Sequence, residues 1–180
     1  DNTLIIFTSD NGGSLPHGAL NGQLRGGKQD HWEGGIRVPT CAVWPRVIPK
    51  GLSNELGITM DLVPTLCDVA GVKVEHEIDG RSLSLFGQGQ AKGKANRTLI
   101  WVRREGSQRY QGRAYYAIRR GDWKLLQNNA FEPMQLLNLA KDPREENPAR
   151  PNNKIGNELT RALMDHILKA GQIPWQREVK

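Results

Sequence analysis

Asp10-Asn11-Gly12-Gly13 sets a carboxylate and an amide side by side, directly after the apolar run Leu4-Ile5-Ile6-Phe7-Thr8-Ser9. Both side chains offer hard oxygen donors, the kind that hold Ca²⁺ or Mg²⁺. The same residues are ordinary turn formers, because Asx side chains bond their own backbone. The pair alone therefore leaves a turn and a metal site equally open. Further on, Leu24-Arg25-Gly26-Gly27-Lys28 places a lysine after two glycines. The glycines let the backbone approach a ligand, and the lysine is a mobile point charge for an anion's oxygens. His17 and His31 fall in the same stretch and could donate a proton or touch a substrate near neutral pH. His76 and His166 read as surface residues. Trp32 either faces a substrate or packs under the Gly34-Gly35 turn.

Regular elements must hold these groups in place. Leu4 to Ser9 reads as a buried strand, and its carboxyl end is where ligands bind in open α/β sheets. The polar, glycine-rich stretch up to Lys28 reads as a loop. Ile36 to Trp44 reads as a second strand, interrupted at Pro39. Asp61 to Ala70 reads as a helix, with Leu62, Leu66 and Ala70 on one face, Asp61 as N-cap and Gly71 at C′. The polar run Gly87 to Lys94 is a linker. Beyond it the period changes to two, giving strands over Arg97–Arg104, Arg113–Arg119, Trp123–Gln127 and Gln135–Leu139. Ile155, Leu159, Leu163 and Ile167 then mark an amphipathic helix ended by Gly171. Two domains are expected: residues 1–90, part of an α/β domain, and residues 91–180, a small antiparallel α+β subdomain.

Ser-Asp-Asn-Gly, Leu-Arg-Gly-Gly-Lys and Trp-Glu-Gly-Gly-Ile-Arg-Val-Pro, in this order and spacing, resemble the sulfatase family of the alkaline-phosphatase superfamily. The resemblance runs on through Thr59–Leu66, Asp79-Gly80-Arg81-Ser82-Leu83, Arg119–Leu125 and Leu137-Asn138-Leu139 with Asp142-Pro143. It implies an alkaline-phosphatase-like α/β fold. It also implies that Asp10 and Asn11 are two ligands of a single Ca²⁺ and that Lys28 contacts the sulfate of a sulfate ester. The implied nucleophile is a formylglycine made within a Cys/Ser-x-Pro-x-Arg motif.

That motif does not occur in residues 1–180. Cys41 is followed by Ala42-Val43-Trp44, and Cys67 by Asp68-Val69-Ala70. Ser14-Leu15-Pro16-His17-Gly18 has Gly where Arg is needed. The chain is therefore expected to be the carboxy-terminal portion of an arylsulfatase-like enzyme. It would carry part of the Ca²⁺ site and be inactive alone, with formylglycine expected in an upstream segment.

At 180 residues and 37% hydrophobic, the chain is globular in composition, with no apolar run long enough for a membrane span. The net charge of +6 is concentrated between Ala91 and Lys124, where ten basic residues face two acidic ones. Such a patch attracts polyanions, and interleaved aromatics such as Trp101, Tyr110 and Tyr115 suit single strands. The resemblance favours a sulfated polyanion over nucleic acid, and it implies an exported enzyme. Two further readings stay open: a phosphatase or phosphonate hydrolase of the same superfamily, and a non-catalytic polyanion-binding module.

Overall fold

The structure, a computed structural model, describes residues 2–83, 97–104 and 114–172. The Gly87–Lys94 linker, the expected boundary at residue 90, and Lys92, Lys94, Arg109, Tyr110 and Arg113 lie outside the described residues. The chain divides into two compact units, one of residues 1–10 and 39–94, the other of residues 11–38 and 95–180.

In the first unit, β1 (Ile5–Phe7) pairs antiparallel with β2 (Cys41–Val43), with Ile5 opposite Val43 and Phe7 opposite Cys41. The Thr8 and Thr40 hydroxyls lie 2.8 Å apart just beyond the ladder. The β1 segment was expected to be buried, yet Ile5 and Phe7 are 59% and 65% exposed. An apolar run is buried only where something covers both its faces, and β1 has a single partner strand among the described residues. The expected strand from Ile36 is also shorter, because β2 begins only at Cys41, after Pro39 has removed a ladder donor.

The expected helix is present as α2 (Leu62–Val69), entered through a 3₁₀ turn over Thr59–Asp61. Gly71 follows it with φ of +67°, the left-handed geometry a helix C-terminus needs. Asp61 stands at the N-cap position just before α2, but its fully buried carboxylate does not cap the helix amides. Its two oxygens accept the N–H groups of Ile58 (2.9 Å) and Arg81 (2.9 Å). The Thr65 hydroxyl donates to the Asp61 carbonyl and accepts the Leu83 N–H. The Thr59–Leu66 and Asp79–Leu83 blocks of the sequence are thus tied together.

The second unit is built on a four-stranded antiparallel sheet in chain order: β3 (Thr98–Arg104), β4 (Ala114–Arg120), β5 (Trp123–Gln127) and β6 (Gln135–Asn138). The tight Gly121-Asp122 connection sets Arg120 opposite Trp123 and Arg119 opposite Lys124. The period-two pattern splits this sheet into two dry faces. On one, Ile118, Leu125 and Leu136 pack against Leu159 and Leu163 of α3 (Lys154–Gly171). Asn153 caps that helix by accepting the Gly156 N–H. On the other face, Ala117, Leu126 and Leu137 pack against Trp32. Asn11–Val38 thus belongs to the sheet's second face, although in sequence it lies within the stretch 1–90 expected to form the α/β domain.

Candidate functional site

The loop Asn11–Val38 is cross-braced by its own backbone and by one asparagine. The Asn21 Oδ1 accepts the Gly13 N–H at 2.8 Å, while its Nδ2 donates to the Gly13 and Gly26 carbonyls. The Lys28 N–H donates to the Gly13 carbonyl at 2.9 Å, and the Gly12 N–H to the Gly35 carbonyl at 2.8 Å. Gly34 and Gly35 do not form the expected second turn. They lie in a one-turn helix, α1 (Glu33–Ile36), and are buried. A side chain on Gly34 would collide with the carbonyls of Gly26 and Arg25, and one on Gly35 with those of Asp30 and Gly27. These glycines are needed for close backbone approach.

The candidate residues take different positions. Lys28 is held through its main chain while its side chain is exposed. His17 is exposed on a short 3₁₀ turn (Leu15–His17), and its Nδ1 lies 2.8 Å from the Ser14 hydroxyl. His31 is buried, 6% exposed, with its ring edge-on to Tyr115. Its main-chain N–H donates to Asn128 Oδ1, and Asn128 in turn donates to Asp30. Burial, together with the nearby Lys124 and Arg103 charges, lowers the His31 pKa to about 4, so the imidazole is neutral at physiological pH. Trp32 packs into the sheet face with the Arg25 guanidinium 3.7 Å above its ring.

Asp10 is an exposed residue ending the first segment of the first unit, and Asn11, half-buried, begins the second unit. Their oxygen donors match a hard cation in kind, though two fall short of the six to eight that Ca²⁺ takes. Among the described residues, no group of three or more His, Cys, Asp or Glu side chains is placed to hold an ion.

A buried charge cluster lies beneath the loop, and sequence reasoning did not single it out. Lys124 Nζ, fully buried on β5, donates to Glu33 Oε1 at 3.0 Å and to Glu145 Oε1 at 2.8 Å. Glu145 Oε2 accepts the Glu33 N–H at 2.6 Å, and Arg25 Nη1 donates to the Glu145 carbonyl at 2.6 Å. Arg119 Nη1 stands 3.3 Å from Glu33 Oε2. Burial pushes the Glu145 carboxyl above its ordinary value, with Lys124 opposing the shift. The available signal was the alternation on β5. Lys124 shares a face with the core residue Leu126, an arrangement that calls for a charged partner.

The sulfatase family model matches residues 1–72. Human steryl-sulfatase is 31% identical over 193 residues, covering 84% of this chain and 32% of that protein. Human arylsulfatase A is 32% identical over 170 residues, covering 81% of this chain and 33% of that protein. The crystal structure of Ps i-CgsB in complex with k-i-k-neocarrahexaose superposes with a TM-score of 0.80 at 34% identity, over 92% of this chain and 36% of that one. The chain belongs to the sulfatase family. It spans about a third of the length of each of these three proteins. The α/β sulfatase fold expected from its motifs is the fold found.

Proposed function

We propose that this chain supplies the sulfate-recognising part of a sulfuric ester hydrolase site. Lys28 is the cation that meets the sulfate, and Asp10 and Asn11 are two oxygen ligands of a Ca²⁺ ion. The observation that carries this reading is Lys28 itself: an exposed ammonium-bearing side chain whose main chain is pinned to Gly13, two residues beyond Asn11. A cation carried on a pinned backbone offsets charge that develops on sulfate oxygens. The metal, when bound, adds Lewis-acid polarisation of the same ester. His17, exposed and hydrogen-bonded to Ser14, is a further candidate to touch the ester in this reading. His31 is buried and neutral, and it acts on substrate only through the loop it anchors.

Formylglycine, the nucleophile that the family resemblance implies, has no Cys/Ser-x-Pro-x-Arg precursor in residues 1–180. The 180-residue chain by itself therefore binds a sulfate ester without turning it over. The k-i-k-neocarrahexaose complex of Ps i-CgsB favours a saccharide ester as the substrate class. Export of the enzyme belongs to the same reading. The polyanion-module alternative loses support because Lys124 is fully buried and Arg119 is turned onto Glu33.

Calorimetric titration of the purified chain, with Ca²⁺ present, tests this reading. Saturable binding of 4-nitrophenyl sulfate is expected, stronger than that of 4-nitrophenyl phosphate, with no nitrophenol released. Tighter binding of the phosphate ester would favour the phosphatase reading, and turnover would overturn the incomplete-site claim.

A further inference from the structure

The cluster of Lys124, Glu33 and Glu145 joins three separated stretches of sequence at one buried point, and every bond in it is directional. Lys124 comes from β5, Glu33 opens α1, and Glu145 projects from the turn after β6. Glu145 holds φ of +58°, a conformation uncommon for a residue with a side chain. Three hydrogen bonds fix that turn, from the N–H groups of Glu145, Glu146 and Asn147 to the carbonyl and carboxylate of Asp142. The turn aims a carboxylate inward, where one oxygen meets Lys124 and the other meets the Glu33 N–H.

From Glu33 the path to the exposed groups is short and leaves no slack. Gly34 N–H donates to the Arg25 carbonyl at 2.7 Å, Gly12 N–H to the Gly35 carbonyl at 2.8 Å, and Lys28 N–H to the Gly13 carbonyl at 2.9 Å. The close approach at Gly34 and Gly35 excludes any side chain that could act as a spacer. An apolar contact such as that of Trp32 holds the loop on the sheet without fixing its rotation. Charge-assisted bonds to both carboxylates fix orientation as well.

We propose that Lys124, Glu33 and Glu145 form a buried ionic lock through which the antiparallel sheet sets the position of Asn11 and Lys28, making Lys124 a positioning residue for the sulfate-ester site. The proposal rests on the sulfate-binding reading above. Lys124 touches no substrate in this account. Its ammonium is consumed by the two carboxylates, and its effect reaches the ester only through the loop backbone.

Residue-resolved amide hydrogen exchange on the full chain tests the lock, with Lys124→Met and the milder, nearly isosteric Glu145→Gln compared with wild type. The Ile118 and Leu125 amides, in the sheet beside the lock, report whether the fold survives. The expected result in the milder Glu145→Gln is exchange at Gly12, Lys28 and Gly34 at least tenfold faster, a clearly larger factor than at Ile118 and Leu125, and affinity for 4-nitrophenyl sulfate at least threefold weaker. Loop and sheet amides accelerating by the same factor in both variants would mean general stabilisation only and would overturn the proposal. So would no change at the loop. If wild type binds no sulfate ester, the sulfate reading and the positioning role both fall, while loop-selective exchange still decides the lock.

Discussion

Lys28 and Lys124 show how one residue type takes opposite roles in the same unit. Lys28 keeps its charge in solvent on a loop that bonds only its main chain, whereas Lys124 is fully buried between two carboxylates. Removing one partner from a buried ion pair costs about 3–5 kcal/mol because it strands the other charge. Glu33→Ala is therefore expected to lower stability by about 3 kcal/mol in denaturant titration, while Lys28→Ala leaves it within about 0.5 kcal/mol. His31 adds a pH dependence whose sign follows from its lowered pKa. Between pH 6.5 and about 4 the unfolded chain binds more protons at this position than the folded one. Stability falls as pH drops through that window, by on the order of 3 kcal/mol in all. The Glu145 carboxyl, raised by burial, contributes in the opposite sense, since the folded state holds its proton more readily as pH rises from 4.5. Denaturant midpoints measured from pH 7 to pH 4 should therefore fall less steeply in His31→Gln than in wild type. Equal slopes would contradict the assignment.

Among the elements, the antiparallel strands and the terminal helix were legible from local pattern. The alternation over β3 to β6 and the four-residue spacing Ile155, Leu159, Leu163, Ile167 are signals that tertiary packing reinforces. Leu163→Ala, which opens a cavity against Ile118 and Leu125, is expected to cost about 2–5 kcal/mol by thermal or chemical denaturation. Other elements were not legible. Glu33–Ile36 reads as turn and strand because its two glycines have poor helix propensity, yet their close contact with the Gly26 and Asp30 carbonyls fixes one helical turn. β1 has the composition of a covered strand but is exposed, because burial depends on neighbours that a local run of residues does not encode. Asn21 gave no periodic signal, since its role is to mimic a backbone link between Gly13 and Gly26. Asn21→Ala should speed exchange of the Gly13 amide several-fold without moving the Ile118 amide.

For the whole molecule, the motifs that identify the family lie far apart in sequence, and the structure shows what joins several of them. Leu-Arg-Gly-Gly-Lys and Trp-Glu-Gly-Gly form one braced loop on the sheet, and Gly-Asp-Trp-Lys and the turn after Asp142-Pro143 hold that loop from below. The antiparallel subdomain expected from the sequence therefore has two covered faces rather than one, with α3 on the first and the candidate site loop on the second. The sequence pattern showed the helix but not the loop, because a glycine-rich polar stretch carries no period that marks a packing face. The site residues named from sequence follow the same division. Asp10, Asn11, His17, His31 and Lys28 were named as candidates by chemical type, while the bonds that brace the loop show only in long-range contacts. The most direct measurement is a residue-resolved NMR titration of the chain with 4-nitrophenyl sulfate in the presence of Ca²⁺, run for wild type and Lys28→Ala. The account predicts saturable shifts at the Asn11, Gly13 and Lys28 amides in wild type and their loss in Lys28→Ala. Equal shifts in both proteins, or shifts confined to other residues, would contradict it.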